Sequence, residues 1–151
     1  MLEKPSVLYT AEATATGGRE GRARTSDGRI DVELDVPAEM GGSGGPGTNP
    51  EQLFATGWAA CFQSALLRFA VGRGLDLSDS RVTARVGIGP VASGRFGLVA
   101  AIDLDAPRLP REVAVELMRR ADETCPYSRA TRGNVEVTLT AGGRAIEQQA
   151  A

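Results

Sequence analysis

The sequence predicts an α+β domain in which an antiparallel sheet packs on two central helices, in the order βββ-α-ββ-α-β. Three observations carry this. Apolar and polar residues alternate through much of positions 7–36, with turn signals between the runs. Two longer segments place apolar residues at helical spacing, each introduced by proline. Short alternating runs lie between and after those segments. At 151 residues, 42% hydrophobic and 24% charged, the chain can bury one core, and without a repeat or linker residues 1–151 read as a single domain.

The first strand is expected over residues 7–16 (VLYTAEATAT), ended by Gly17-Gly18. A short strand over 22–26 and another over 30–36 (IDVELDV) flank Asp27-Gly28, a hairpin signal. The segment PAEMGGSGGPGTN follows, with five glycines between Gly41 and Gly47. It lacks a basic residue and no Lys-Ser/Thr pair follows it, so it is no phosphate cradle but a flexible loop, of the kind that borders sites. Asn49 can cap the next helix, Pro50 suits its first position, and Gln52 nearly completes a capping box. The run LFATGWAACFQSALLRFAV is apolar over much of its circumference, as expected of a helix buried on several sides and ended by Gly72 and Gly74. Gln63, Ser64 and Arg68 interrupt it, so it is not a membrane span. Strands are expected over 81–89 and 95–104. Pro107 and Pro110 then introduce a helix with Ala114, Leu117, Met118, Ala121 and Cys125 on one face, stopped by Pro126. A last strand over 135–140 precedes a polar tail, expected to fray, that runs to Ala151.

Several functions are disfavoured by composition. Net charge is −2, and the basic residues, nearly all Arg, are dispersed, which gives no nucleic-acid or membrane surface. The start, MLEKPSVLYT, has acid and proline where a signal peptide needs a basic stretch and an apolar run, so a cytoplasmic protein is expected. With no histidine, neither a Cys-His nor a Ser-His nucleophile pair can form, and the two cysteines do not suggest a zinc site. Their separation also rules out a CxxC redox motif.

Cys61 and Cys125 fall on the apolar faces of the two long helices, which must pack together in a chain this size, within reach of a disulfide. Two small buried hydrophobes would look the same, and the residues alone leave both readings standing. Cys125 closes a helix, where the dipole disfavours a thiolate, so it suits a second thiol better than a first attacker. Cys61 lies about 16 Å along its helix from Pro50, too far for that N-terminus to help. A reactive Cys61 therefore needs a cation from elsewhere, and arginine is the obvious donor.

GTNPEQLFATGWAACFQSAL followed by CPYSRATRGNVEVTL resembles the organic hydroperoxide resistance branch of the OsmC/Ohr family, and TATGGREGRA resembles that family's Arg-bearing turn. Glu20 and Trp58 stand where Asp and Tyr are expected, and Arg129 where Asn is expected, close enough to Cys125 to alter access or potential there. The resemblance implies an OsmC-like fold in an intertwined homodimer with sites at the interface. It also implies a thiol peroxidase: Cys61 as peroxidatic thiolate, Cys125 as resolving thiol, Arg19 as activating cation and Glu51 as the carboxylate that orients Arg19. The chemistry agrees, since a guanidinium lowers a thiol pKa and a carboxylate can hold it bidentately. From sequence alone, Glu51 also reads as an acid complementing a helix N-terminus, and Arg19 as a solvated turn residue. On a regular helix Glu51 and Cys61 would be about 15 Å apart and on different faces. Either the helix starts irregularly, or a second chain completes the site; the second is preferred.

Further expectations follow from the resemblance: alkyl or fatty-acid hydroperoxides as substrates, dihydrolipoyl groups on carrier proteins as reductant, and no metal, flavin or haem, because sulfur carries the electrons. Phe54, Trp58 and Phe62 could line an alkyl pocket, though at helical spacing core is the better assignment. The rivals are a non-enzymatic apolar-ligand carrier with inert thiols, a thiol redox sensor, and a general peroxidase preferring hydrogen peroxide.

Overall fold

A computed structural model of the chain describes residues 3–147; the remaining tail residues, 148–151, lie outside it. The chain divides into two compact units, residues 1–50 and 51–151.

The first unit is a three-stranded antiparallel meander of β1 (Ala13–Thr16), β2 (Arg22–Thr25) and β3 (Asp31–Glu33). The expected first strand is cut to its last four residues. Alternation continues back to Val7, but β2 pairs only as far as Ala13 opposite Thr25, and Leu8 is 99% exposed. The Asp27-Gly28 turn forms as anticipated: Asp27 Oδ1 accepts from Thr25 Oγ1 (2.7 Å) and from the Arg29 N–H (3.0 Å), while Gly28 takes φ 72°. The glycine-rich loop is anchored, which its composition did not suggest. Asp35 N–H donates to the Thr48 carbonyl (2.9 Å), Thr48 N–H to the Glu33 carbonyl (2.9 Å) and Gly47 N–H to Asp35 Oδ2 (2.5 Å).

The second unit holds α1 (Pro50–Ala70), β4 (Arg81–Pro90), β5 (Phe96–Asp105), α2 (Arg111–Thr124), α3 (Pro126–Thr131), β6 (Glu136–Ala141) and β7 (Arg144–Ala145). The order βββ-α-ββ-α-β holds, with α3 and β7 added. The sheet runs β4-β5-β6-β7 and is mixed, not purely antiparallel, because β6 joins β5 in parallel. A parallel pair needs a long crossover, and α2 with α3 supplies it. Alternate residues of the sheet (Ala100, Ile102 and Leu104 of β5; Leu139 and Ala141 of β6) form one core cluster with Trp58, Phe62 and Leu66 of α1 and Ala114, Leu117, Met118 and Ala121 of α2.

The central helix α1 is covered over much of its circumference, as its composition predicts: Trp58, Phe62 and Leu66 are buried, Phe54, Cys61, Ala65 and Phe69 pack half-buried against the core, and one stripe, Gln52, Thr56, Ala60, Ser64 and Leu67, is exposed. One further expectation is corrected. Residues 141–147 do not fray: β7 pairs with β6, Ile146 is buried, and Arg111 Nη1 donates to the Ala141 carbonyl (2.8 Å). The polar composition of the tail concealed that one buried isoleucine. Among the described residues no helix is long and apolar enough to cross a membrane.

Candidate active site

Cys61 opens the fourth turn of α1, half-buried, and Cys125 lies between α2 and α3, fully buried. Their Sγ atoms are 3.5 Å apart with both thiols free. A disulfide needs about 2.05 Å, so the two sulfurs would have to close by about 1.5 Å to bond. Helical periodicity accounts for the meeting: Cys61 continues the α1 surface next to Trp58 and Phe62, and Cys125 continues the buried face of Leu117, Met118 and Ala121.

Pro126 does more than stop a helix. It occupies the first position of α3, so Cys125 is at once the C-cap of α2 and the N-cap of α3. Its placement at a helix C-terminus is therefore only half of its setting. The backbone N–H of Tyr127, in the first turn of α3, donates to the Cys61 sulfur. That contact favours a thiolate, but burial is the larger effect, and together with the adjacent Cys125 it pushes the Cys61 thiol above the ordinary thiol range.

Tyr127 was not singled out from sequence, although proline at a helix start was the available signal. Its ring lies 5.9 Å from that of Phe54, which in turn lies 5.1 Å from Trp58. A Cβ at Gly57 would sit 3.2 Å from the Tyr127 ring, so glycine there lets the aromatic lie across α1. Trp58 Nε1–H donates to Ser128 Oγ across a fully buried contact (3.2 Å), tying α1 to α3. Trp58 and Phe62 are wholly buried core side chains, and Phe54 packs against that core. The open space beside Cys61 lies elsewhere: a cavity of about 380 Å³ lined by Cys61, Ser64, Ala65, Arg68, Phe69, Thr124 and Pro126.

Glu51 is half-buried in the first turn of α1. The helix runs unbroken from Pro50 to Ala70, so an irregular start cannot bring Glu51 to Cys61, and ten residues of helix put them about 15 Å apart along the axis. In the first unit, Arg19 is half-buried in a single 3₁₀ turn, Gly18–Glu20, between β1 and β2. A Cβ at Gly21 would lie 1.8 Å from the Thr16 carbonyl oxygen, so only glycine closes this turn. The spacing of GGREG is thus set by the backbone that carries Arg19.

The chain is similar to known proteins over nearly its full length. The OsmC-like protein family profile matches residues 41–140. The organic hydroperoxide resistance protein of Xanthomonas axonopodis pv. citri is 49% identical over 141 residues, covering 93% of this chain and 99% of the relative. Organic hydroperoxide resistance protein OhrB of Bacillus subtilis is 43% identical over 88% of this chain and 97% of its own. A crystal structure from Vibrio cholerae, described as a putative organic hydroperoxide resistance protein with captopril in one of its active sites, superposes with a TM-score of 0.88. It is 44% identical over 95% of this chain and 99% of its own. The chain therefore belongs to the OsmC-like family, in its organic hydroperoxide resistance branch.

Proposed function

We propose that this protein is a thiol peroxidase that reduces organic hydroperoxides to alcohols. The observation that carries this is the pair of free thiols 3.5 Å apart, one fully buried and one opening onto a mainly apolar cavity. In the proposed cycle, the Cys61 thiolate attacks an oxygen of the O–O bond. An S–O bond forms, the O–O bond breaks, and the alkoxide takes up a proton to leave as alcohol. Cys125 then attacks the sulfenic sulfur, forming the disulfide and releasing water. An external dithiol returns both residues to thiols by exchange, itself becoming a disulfide.

Arg19 is the proposed cation at Cys61, oriented by Glu51. The support is chemical: burial raises the Cys61 thiol, so a working thiolate requires a compensating positive charge. A second copy of the chain is proposed to complete the site, since Glu51 and Cys61 are far apart on one helix. Exposed apolar side chains such as Leu67, Phe96 and Leu98 suit a homodimer. The same reading makes the protein a cytoplasmic, single-domain enzyme with lipoylated carrier proteins as reductant.

The direct test is turnover of cumene hydroperoxide with dihydrolipoamide, compared with hydrogen peroxide. Turnover with preference for the organic peroxide is expected. No turnover, with both thiols still reduced, would leave the apolar-ligand carrier standing. Oxidation without recycling would favour the redox sensor, and a preference for hydrogen peroxide the general peroxidase.

The arginine is tested by pH. Wild-type Cys61 should react with iodoacetamide with a midpoint below the ordinary thiol value of about 8.5. In Arg19→Gln the midpoint should rise above it, because burial and the adjacent Cys125 then outweigh the Tyr127 N–H; a raised pKa leaves less thiolate at neutral pH, so alkylation there slows. Peptide mapping of Cys61 across the pH range reads the shift, and an unchanged midpoint would remove Arg19 from the role.

A further inference from the structure

The cavity beside Cys61 has one charged residue in its wall, Arg68. Cys61, Ser64, Ala65, Arg68 and Phe69 stand at i, i+3, i+4, i+7 and i+8 of α1, so they share one face, which Thr124 and Pro126 close from the other side. Both hydroxyls are already engaged. Ser64 Oγ donates to the Ala60 carbonyl (2.8 Å) and Thr124 Oγ1 to the Arg120 carbonyl (2.9 Å). Ala65, Phe69 and Pro126 offer apolar surface. Arg68 is exposed and, among the described residues, has no carboxylate partner. The cavity thus has a thiol at one end, a guanidinium at the other, and mainly apolar wall between.

We propose that Arg68 determines specificity in this cavity by holding the carboxylate of an amphiphilic organic hydroperoxide whose peroxide group lies at Cys61. The inference rests on the peroxidase reading above and adds to it a preference for anionic over neutral substrates. A guanidinium fork matches a carboxylate bidentately, which a hydroxyl or a lysine does not. Seven residues of helix place Arg68 about 10 Å along the axis from Cys61. Helical side chains lean towards the N-terminus, so the guanidinium leans back over the cavity. An extended chain advances roughly 1.2 Å per bond, so about eight bonds span the full axial distance, and fewer suffice where the guanidinium leans back. Chains with the hydroperoxide no nearer the carboxylate than the cavity requires, up to about the ninth carbon, can bridge the two groups.

Two measurements on the full chain decide it. In the first, kcat/KM is compared for a long-chain fatty acid carrying its hydroperoxide at the ninth carbon and for the methyl ester of the same acid. Wild type should prefer the free acid, and Arg68→Gln should reduce that preference about fivefold, through KM, as loss of a partly exposed charge pair does. Arg68→Lys should restore part of it. An acid-to-ester ratio that Arg68→Gln leaves unchanged overturns the proposal. The second needs no turnover: nonanoate should protect Cys61 from iodoacetamide in wild type, nonanol should protect it less, and the difference should vanish in Arg68→Gln. Equal protection by nonanoate and nonanol in wild type, or by nonanoate in both proteins, also overturns it. If no hydroperoxide is turned over, the peroxidase reading fails by itself, while the protection experiment still decides the role of Arg68.

Discussion

Cys61→Ser is expected to abolish multiple turnover of cumene hydroperoxide, by at least about a thousandfold, because a serine hydroxyl is hardly ionised at neutral pH and is a weak nucleophile. Cys125→Ser should instead complete one reduction and then stall as a Cys61 sulfenic acid. The asymmetry comes from exposure. Cys61 lines the open cavity, whereas Cys125 is 0% exposed and lies 3.5 Å from Cys61, so a peroxide meets Cys61 first. Cys125→Ser also buries a hydroxyl, at a cost of about 1–3 kcal/mol if it finds no partner. Cys125→Ala is the companion variant, since it blocks resolution without burying a polar atom. Mass spectrometry after one equivalent of peroxide, with a sulfenic-acid trap present, reads both. A trapped adduct on Cys61 in the Cys125 variants and none in Cys61→Ser is the expected pattern. An adduct on Cys125 in Cys61→Ser, with silent Cys125 variants, would exchange the two roles.

What was legible in the sequence was mostly what local chemistry decides. Pro50 and Pro110 mark where α1 and α2 begin, and the buried face of α2 is the face that periodicity selects. The β4 and β5 boundaries fall within one residue of expectation, since their alternation is regular and each finds a full-length partner. Partnership itself is not local, and it caused the misses. Residues 7–12 alternate like a strand but, among the described residues, have no strand opposite them, and nothing within β6 says that its neighbour β5 runs parallel. Pro126 could end one helix or begin another, and it does both. The nearness of the two sulfurs followed from helix faces, but the cavity did not. Arg68 interrupts an apolar run as a solvated residue would, and only the approach of Thr124 and Pro126 turns that interruption into a wall.

The same reasoning gives the largest expected effect on stability, at Trp58. Its ring is completely buried, and its Nε1–H is held by Ser128 Oγ, itself 3% exposed. Trp58→Ala should cost about 3–5 kcal/mol through the cavity it leaves, a large part of the total for a domain of this size. Trp58→Phe is the more informative change. It keeps most of the apolar volume but leaves the Ser128 hydroxyl without its buried donor, at a further cost of about 1–3 kcal/mol. Ser128 belongs to α3, whose first turn supplies the Tyr127 N–H to Cys61 and whose N-cap is Cys125. Loosening that helix should therefore slow disulfide formation as well as lower the urea midpoint. Trp58→Tyr, which returns a donor to the end of the ring, should recover part of both. Disulfide formation after a single pulse of hydroperoxide, followed alongside urea unfolding, separates the effects. If Trp58→Phe unfolds earlier yet closes the disulfide at the wild-type rate, the Trp58–Ser128 bond serves stability alone, and α3 is held over Cys61 by the packing of Tyr127 on Phe54 and Gly57.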